Sequence, residues 1–254
     1  MKKIATALSV AALLTLPAKA DVLGVYLGGQ VWDNSSSGKF GESTGQQDFN
    51  LGDEQQGSFY IAVEHPLPFI PNIKVASTTL ETTGNATLTA DFEFGGETFA
   101  EGASIASNFN VDYIDYTLYY EVFDNGLFSF DLGLTGRDFG GDVSLTAASV
   151  TTPSSTTTAT ISTSEIVPML YASTQVGIVG TGFNLYAEGN FLSFDDHSLY
   201  DYQAGVSYEL IDNALVDVNL TIGYRAINIQ LEDLNDLYTD IEFKCAYAGA
   251  VIHF

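Results

Sequence analysis

Hydrophobic and polar residues alternate with a period of two in segments of about ten residues along this chain. In the clearest pair of segments one face is uncharged: Ile114, Tyr116, Leu118, Tyr120 and Val122 in the first, and Phe128, Phe130, Leu132 and Leu134 in the second. The opposite face carries Asp115, Glu121, Asp131 and Arg137. Repeated alternation of this kind is typical of a transmembrane β-barrel, in which one face of each strand meets lipid.

Ten such segments predict an all-β protein, a transmembrane antiparallel up-and-down β-barrel of ten strands. Eight strands are the alternative, if the third or the sixth segment pairs too briefly to cross. Polar segments at about 33–56, 82–107 and 138–165 are predicted to be long extracellular loops, the second with a hairpin at Gly95-Gly96 and the third forming a hairpin of its own. Three prolines between His65 and Asn72 predict a rigid periplasmic connection, because proline cannot join a strand ladder.

The last strand is predicted to close the barrel. Its end, with Gly249, Ile252 and Phe254, resembles the closing strand of bacterial outer-membrane β-barrels. The resemblance implies that these residues form an assembly signal read by the barrel assembly machinery. It also requires the first strand to pair with the last, since unpaired backbone groups in lipid cost several kcal/mol each.

The beginning of the chain predicts export. Met1-Lys2-Lys3, an apolar run from Ile4 to Leu16 and an Ala18-Lys19-Ala20 site describe a cleavable secretory signal peptide over residues 1–20. The rest, residues 21–254, is predicted to be one barrel domain in the cell outer membrane, in contact with outer-membrane lipid.

Charge and cysteine content exclude several classes of function. Without residues 1–20 the chain has 32 acidic and 5 basic residues, a formal charge of −27. No basic patch remains to hold phosphates, which excludes nucleic acid as a partner. The single Cys245 cannot form an internal disulfide and is a poor metal site. No metal, cofactor or catalytic residue is predicted.

Short motifs in nearly every strand resemble an uncharacterised family of outer-membrane β-barrel proteins of marine gammaproteobacteria. They are Glu64-His65-Pro66-Leu67-Pro68, Pro71-Asn72-Ile73-Lys74, Asp115-Tyr116-Thr117-Leu118-Tyr119-Tyr120-Glu121, Pro168-Met169-Leu170-Tyr171-Ala172, Ala187-Glu188-Gly189-Asn190, Asp201-Tyr202-Gln203-Ala204, Gly223-Tyr224-Arg225 and the closing strand. The resemblance implies the barrel fold and supplies no activity.

Charged residues on the inward faces are the candidate functional residues. Five carboxylates are expected toward the periplasmic end: Glu64, Glu121, Asp131, Glu209 and Asp217. They form either an internally paired polar lumen or an acidic mouth that favours cations. Ten strands are close to the limit at which side chains fill the interior, so a wide pore is not expected.

The predicted turns give a predicted register for the lumen charges. A three-residue turn at Asp212-Asn213-Ala214 sets Asp201 directly opposite Arg225, and Glu209 opposite Asp217. A three-residue turn at Asp124-Asn125-Gly126, with glycine in the left-handed conformation, sets Arg137 opposite Tyr113 with Asp115 as its diagonal neighbour. Both arginines are therefore expected to form ion pairs inside the barrel.

The function predicted from these features is a structural or surface-interaction role for a monomeric barrel that is not an enzyme. The alternative is a narrow channel that favours cations. An outer-membrane hydrolase is the third possibility, and Asp195-Asp196-His197 is the only cluster that suggests it. A polar loop tip accounts equally for these three residues.

Overall fold

The computed structural model describes residues 23–43, 45–148, 156–194, 197–213 and 215–254. The predicted signal peptide lies outside this part of the chain. The described residues form fourteen strands and no helix long and apolar enough to cross a membrane. The strands are β1 (Gly24–Glu42), β2 (Gly45–Asp48), β3 (Glu54–Glu64), β4 (Asn72–Thr78), β5 (Glu81–Thr87), β6 (Phe92–Phe94), β7 (Glu97–Phe99), β8 (Ser104–Asp124), β9 (Phe128–Ala148), β10 (Thr156–Ile178), β11 (Phe183–Phe194), β12 (His197–Asp212), β13 (Asp217–Leu234) and β14 (Leu237–His253).

These strands build a closed antiparallel barrel. Neighbours pair in chain order from β1 through β3, β4 and β8 to β14, and β14 pairs back with β1. β4 and β5 both pair with β8, one after the other, so together they serve as one barrel strand. The barrel therefore has ten strands, and the prediction of ten rather than eight is confirmed.

The apolar residues change face within the long strands. In β8 the apolar residues from Ile105 to Tyr113 occupy odd positions and are buried inside the barrel. From Ile114 to Tyr120 they occupy even positions and are exposed outside. β9 changes face between Leu134 and Phe139, and β13 changes between Tyr224 and Ile227.

This change divides the barrel into two halves. The terminal half, which carries Phe254 and the turn between β8 and β9, is polar inside and apolar outside, as expected of strands in contact with lipid. The distal half, at the opposite end, is apolar inside and polar outside, as expected of a barrel in water. Seven aromatic side chains near the two edges of the exposed apolar face all point outward: Tyr116, Tyr120, Phe128, Tyr200, Tyr208, Tyr224 and Phe254.

The interior of the distal half is a packed hydrophobic core. Its fully buried large side chains include Phe40, Phe49, Leu80, Phe94, Ile105, Phe109, Phe139, Leu145, Leu199 and Phe243. The rings of Phe40 and Phe49 stack with their centroids 4.6 Å apart. This core extends through the distal parts of most of the barrel strands, so that part of the interior is filled by side chains.

The hairpin of β6 and β7 contributes to this core. Its turn is Gly95-Gly96, as predicted, and both glycines have positive φ angles of 58° and 78°. Phe94 is fully buried beside Phe40, with ring centroids 6.2 Å apart. The Gly95 N–H donates to Glu42 Oε1 at 2.6 Å, which ties the hairpin to the end of β1.

The structure corrects the extent of the three predicted long loops. Residues 33–42 continue β1, residues 81–87 form β5, and residues 138–148 and 156–165 belong to β9 and β10. Residues 149–155 lie outside the described part of the chain. The physical reason is that the outer face of these extensions is polar and lies beyond the exposed apolar residues of the terminal half. Their inward residues are buried but partly polar, such as Asn34, Ser36 and Thr82.

Two turns between barrel strands are short. β13 runs on to Leu234, and a two-residue turn at Asn235 and Asp236 with φ angles of 55° and 68° joins it to β14. Two consecutive positive φ angles are typical of a type I′ hairpin turn. Between β8 and β9, Asp124 pairs with Ser129, so four residues rather than three connect the partners. Gly126 has the expected positive φ, 76°.

Candidate functional site

The interior of the terminal half contains a cavity of about 420 Å³. Its wall runs from Asp124 and His253 beside the terminal turns to Asp115, Asp201 and Arg225 below the distal core. The lining includes five tyrosines and several carboxylates: Tyr26, Tyr60, Tyr119, Tyr171 and Tyr186 with Glu64, Glu121, Asp124, Asp131 and Glu188. This cavity is the candidate functional site.

A layer of buried charges forms the floor of the cavity. Arg137 donates from Nε and Nη2 to the two oxygens of Asp115, each at 2.7 Å. Its Nη2 also reaches Asp201 Oδ2 at 2.7 Å, three barrel strands away. Arg225 binds the same Asp201 carboxylate through Nε at 2.8 Å and Nη2 at 2.7 Å. Asp201 therefore receives both arginines.

Tyr113 completes this charge layer. Its hydroxyl donates to Asp201 Oδ2 at 2.7 Å and accepts from Arg225 Nη2 at 3.0 Å. The Arg137 guanidinium also lies over the Tyr113 ring, 3.7 Å from its centroid. Arg137 is 0% exposed. Such burial of a charge is tolerated only because ionic and hydrogen-bonding partners replace water.

The four charges predicted to pair in the lumen thus lie together, but the predicted register is wrong by two residues. Gln203, not Asp201, stands opposite Arg225, and Asp115, not Tyr113, stands opposite Arg137. At the turns Asp212 stands opposite Asp217 and Asp124 opposite Ser129, which moves each ladder three residues from the predicted register. Irregularities between Glu209 and Ile211 and between Glu121 and Phe123 then move each ladder back by one residue. Long arginine side chains still reach diagonal neighbours on the same face.

An ammonium group is held within the cavity wall itself. Lys74 Nζ donates to Glu188 Oε1 at 2.7 Å and to Oε2 at 2.6 Å. It lies 4.4 Å from the centroid of the Tyr60 ring and 5.6 Å from that of Tyr171. The Tyr171 hydroxyl donates to Glu188 Oε2 at 3.2 Å, which orients the carboxylate.

Three of the five carboxylates predicted at this end line the cavity: Glu64, Glu121 and Asp131. Glu121 and Asp131 are direct cross-strand partners on β8 and β9. Glu64 accepts a hydrogen bond from the Tyr119 hydroxyl at 2.7 Å. These three residues give the cavity an anionic side.

Glu209 and Asp217 do not oppose each other as predicted. Glu209 stands opposite Asn219, and Asp217 stands opposite Asp212 on one side and His253 on the other. Asp217 Oδ2 lies 3.4 Å from His253 Nδ1, and the His253 ring stacks on Tyr26 with centroids 4.2 Å apart. The turn, which sets Asp212 opposite Asp217, accounts for the difference.

The predicted assembly-signal residues lie beside the seam between β1 and β14. The Phe254 N–H donates to the Val25 carbonyl at 3.0 Å, and the Phe254 side chain is 53% exposed on the outer face. Ile252 pairs with Leu27. A Cβ at Gly249 would lie 2.6 Å from the Gly29 carbonyl oxygen and 2.9 Å from Thr221 Oγ1, so only glycine fits there.

The cluster that suggested hydrolysis lies mostly outside the described residues. Asp195 and Asp196 are not described, while His197 begins β12, and its Nδ1 accepts from the Glu232 N–H at 3.3 Å.

Known structures that resemble this chain are bacterial outer-membrane barrels. The outer membrane protease OmpT from Escherichia coli aligns with a TM-score of 0.52 and 11% identity, over 94% of this chain and 98% of OmpT. The chain has the fold of an outer-membrane β-barrel. The transport unit of the autotransporter AIDA-I from Escherichia coli (TM-score 0.41, 8% identity, 98% of this chain and 96% of that one) and Neisserial surface protein A (0.31, 13%, 91% and 97%) also match. No protein-family model matches the chain, and no curated protein does.

Two parts of this outer-membrane-type barrel were not predicted. The first is the partnership of Lys74 with Glu188, because β4 and β11 are remote both in sequence and along the barrel wall. The second is the distal core, which left a signal in the sequence: the adjacent apolar residues Tyr113 and Ile114 break the alternation where the buried side changes.

Proposed function

We propose that this protein is an integral outer-membrane barrel with a closed lumen and a structural or surface-interaction role. The observation that carries the proposal is the stacking of two barriers, the Arg137–Asp115–Asp201–Arg225 layer and the distal hydrophobic core beyond it. An ion crossing the barrel would have to displace buried ion pairs and then pass packed apolar side chains. Both steps are costly in a low-dielectric interior.

The distal half supports a role outside the membrane. Its outer face is polar, and its strands continue for about ten residues past the apolar belt in β1 and β9, roughly 30 Å along each strand. A rigid barrel wall of this kind offers an exposed surface to partners. The proposal includes membership of the marine gammaproteobacterial barrel family, export through the signal peptide, a monomeric state, and contacts with outer-membrane lipid and the barrel assembly machinery.

The second candidate is a narrow channel that favours cations. The carboxylates Glu64, Glu121 and Asp131 in the cavity favour it, since rings of acidic side chains select cations in pores. The hydrophobic core opposes it. A hydrolase is the weakest candidate: OmpT is a protease, but at 11% identity that similarity concerns the fold.

Conductance measurements distinguish the first two functions. Refolded protein added to a planar lipid bilayer is expected to give no unitary current steps above the baseline of empty detergent micelles. Removal of one large side chain from the distal core and one from the charge layer should create such current steps. The double variant Phe109→Gly/Arg137→Gly therefore serves as the positive control. Regular, cation-selective steps from the unaltered protein would overturn the closed-lumen proposal in favour of the channel.

A further inference from the structure

The cavity of the terminal half already contains one recognised ammonium group. Lys74 Nζ is held by the Glu188 carboxylate at 2.6 Å and by the faces of Tyr60 and Tyr171. Aromatic faces and carboxylates are the two kinds of group that attract alkylammonium ions most strongly. The wall is therefore built from side chains that suit ammonium ligands.

The same cavity has carboxylates whose charge the described residues leave without a cationic partner. None of Glu64, Glu121 and Asp131 has a described lysine or arginine within ion-pair distance; Lys74 is taken by Glu188, and Arg225 by Asp201. Glu121 and Asp131 are direct cross-strand partners, an arrangement in which like charges repel. A mobile cation that enters from the terminal end would relieve this repulsion.

The shape of the site favours an organic cation over a metal ion. Among the described residues, no group of three or more His, Cys, Asp and Glu side chains is arranged to hold a metal ion. A volume of about 420 Å³ lies within the usual range of small-molecule sites. The tyrosine rings offer apolar surface to methylene groups, while the carboxylates stand on more than one barrel strand, on β3, β8 and β9.

We propose that this cavity is a binding site for a small linear aliphatic diamine. One ammonium group binds between Glu121 and Asp131, the methylene chain lies along the tyrosine-lined wall, and the second ammonium group binds toward Glu64. Lys74 keeps its place on Glu188 and marks the far side of the site. This binding function goes beyond the proposed structural role and does not depend on whether the barrel conducts.

The experiment is calorimetric titration of 1,4-diaminobutane into the refolded full chain in zwitterionic detergent micelles at low salt. Saturable binding at one molecule per barrel is expected. Glu121→Gln and Asp131→Asn should each weaken binding at least tenfold, because each removes a charge that faces the ligand. Glu97→Gln, at the exposed start of β7, is the matched control and should leave the affinity unchanged. 1,4-Butanediol, which has the same length and no charge, should not bind.

Folding of each variant is checked by circular dichroism and by the gel mobility of unheated barrels. Glu121→Gln and Asp131→Asn remove repulsion rather than support, so they should fold at least as well as the unaltered chain. Absence of saturable binding would overturn the proposal, as would equal affinity in Glu121→Gln, Asp131→Asn and the unaltered chain. Displacement of the diamine by equimolar magnesium ions would also overturn it, since the site would then be an inorganic cation site.

Discussion

At the scale of single residues, Asp201 holds the charge layer together. It accepts hydrogen bonds from Arg137, Arg225 and Tyr113, and it joins β12 to β8 and β9 across the lumen. Removal of this carboxylate leaves two buried guanidinium groups short of an acceptor. Removal of Arg225 leaves Asp201 still paired with Arg137. The two sides of the ion pair are therefore not equivalent.

We predict that Asp201→Ala lowers the free energy of unfolding of the refolded barrel by about 3–5 kcal/mol, the usual cost of breaking a buried ion pair. Arg225→Ala should cost less than Asp201→Ala. The two effects should be non-additive in a double-mutant cycle, because the residues are in contact. Urea-induced unfolding in micelles, followed by tryptophan fluorescence, measures all four free energies.

The control for this cycle is Asp240→Ala on the outer face of the distal half, opposite Lys39. Surface ion pairs contribute about 0–1 kcal/mol, so this change should have little effect on the free energy of unfolding. A loss for Asp201→Ala no larger than that of Asp240→Ala would mean that the charge layer does not support the barrel.

At the scale of strands, each long strand lies partly in lipid and partly in water, and the change of buried face marks the boundary. In β9 the exposed Leu134 lies within the apolar belt, whereas Ser144 lies further along the same outer face in the distal half. An equal substitution at these two positions therefore tests the position of the boundary directly.

Leu134→Arg should destabilise the refolded barrel by about 2–4 kcal/mol, the range found for arginine facing lipid near the bilayer midplane. Ser144→Arg should change stability by no more than about 0.5 kcal/mol, as is usual for an exposed position in water. Unfolding of both variants in lipid vesicles measures the difference. Equal costs at the two positions would place both residues in the same environment and contradict the assigned boundary.

The strand pattern also explains how much could be predicted from the sequence. Alternation such as that of Ile114 to Val122 assigns one face of a segment to lipid, and ten segments of this kind gave the strand count. The distal extensions were mistaken for loops because Ser, Thr and Gly dominate their outer face, and the change of side at Tyr113 and Ile114 was not recognised. The lumen register could not be predicted, since the pairing at the turns and the bulges beside Glu209 and Glu121 depend on backbone geometry that residue types do not specify.

At the scale of the whole molecule, the barrel is continuous only because β14 closes onto β1. Sixteen residue pairs join these strands, from Tyr26 opposite His253 to Gly41 opposite Tyr238. Phe254 adds two backbone hydrogen bonds with Val25 beyond that ladder. Closure gives hydrogen-bond partners to the backbone N–H and C=O groups of the edge strands, which lipid cannot do. The pairing runs through both the lipid-facing half and the distal half.

The Phe254 side chain contributes little to closure itself, because it is half exposed on the outer face while its backbone makes the seam contacts. Phe254→Ser keeps that backbone and removes only the ring. We therefore predict that Phe254→Ser reduces the amount of folded barrel in the outer membrane of cells several-fold. The same change should lower the free energy of unfolding of the refolded protein by less than about 3 kcal/mol, the upper end of the stabilisation from burying one apolar side chain. Val251→Ser, on the inner face of the same strand, is the matched control and should not reduce assembly in cells to the same degree. Quantification of heat-modifiable protein in membrane fractions and urea unfolding of refolded protein give the two measurements. A stability loss large enough to account for the cellular defect would assign the ring a packing role instead of a part in recognition by the assembly machinery.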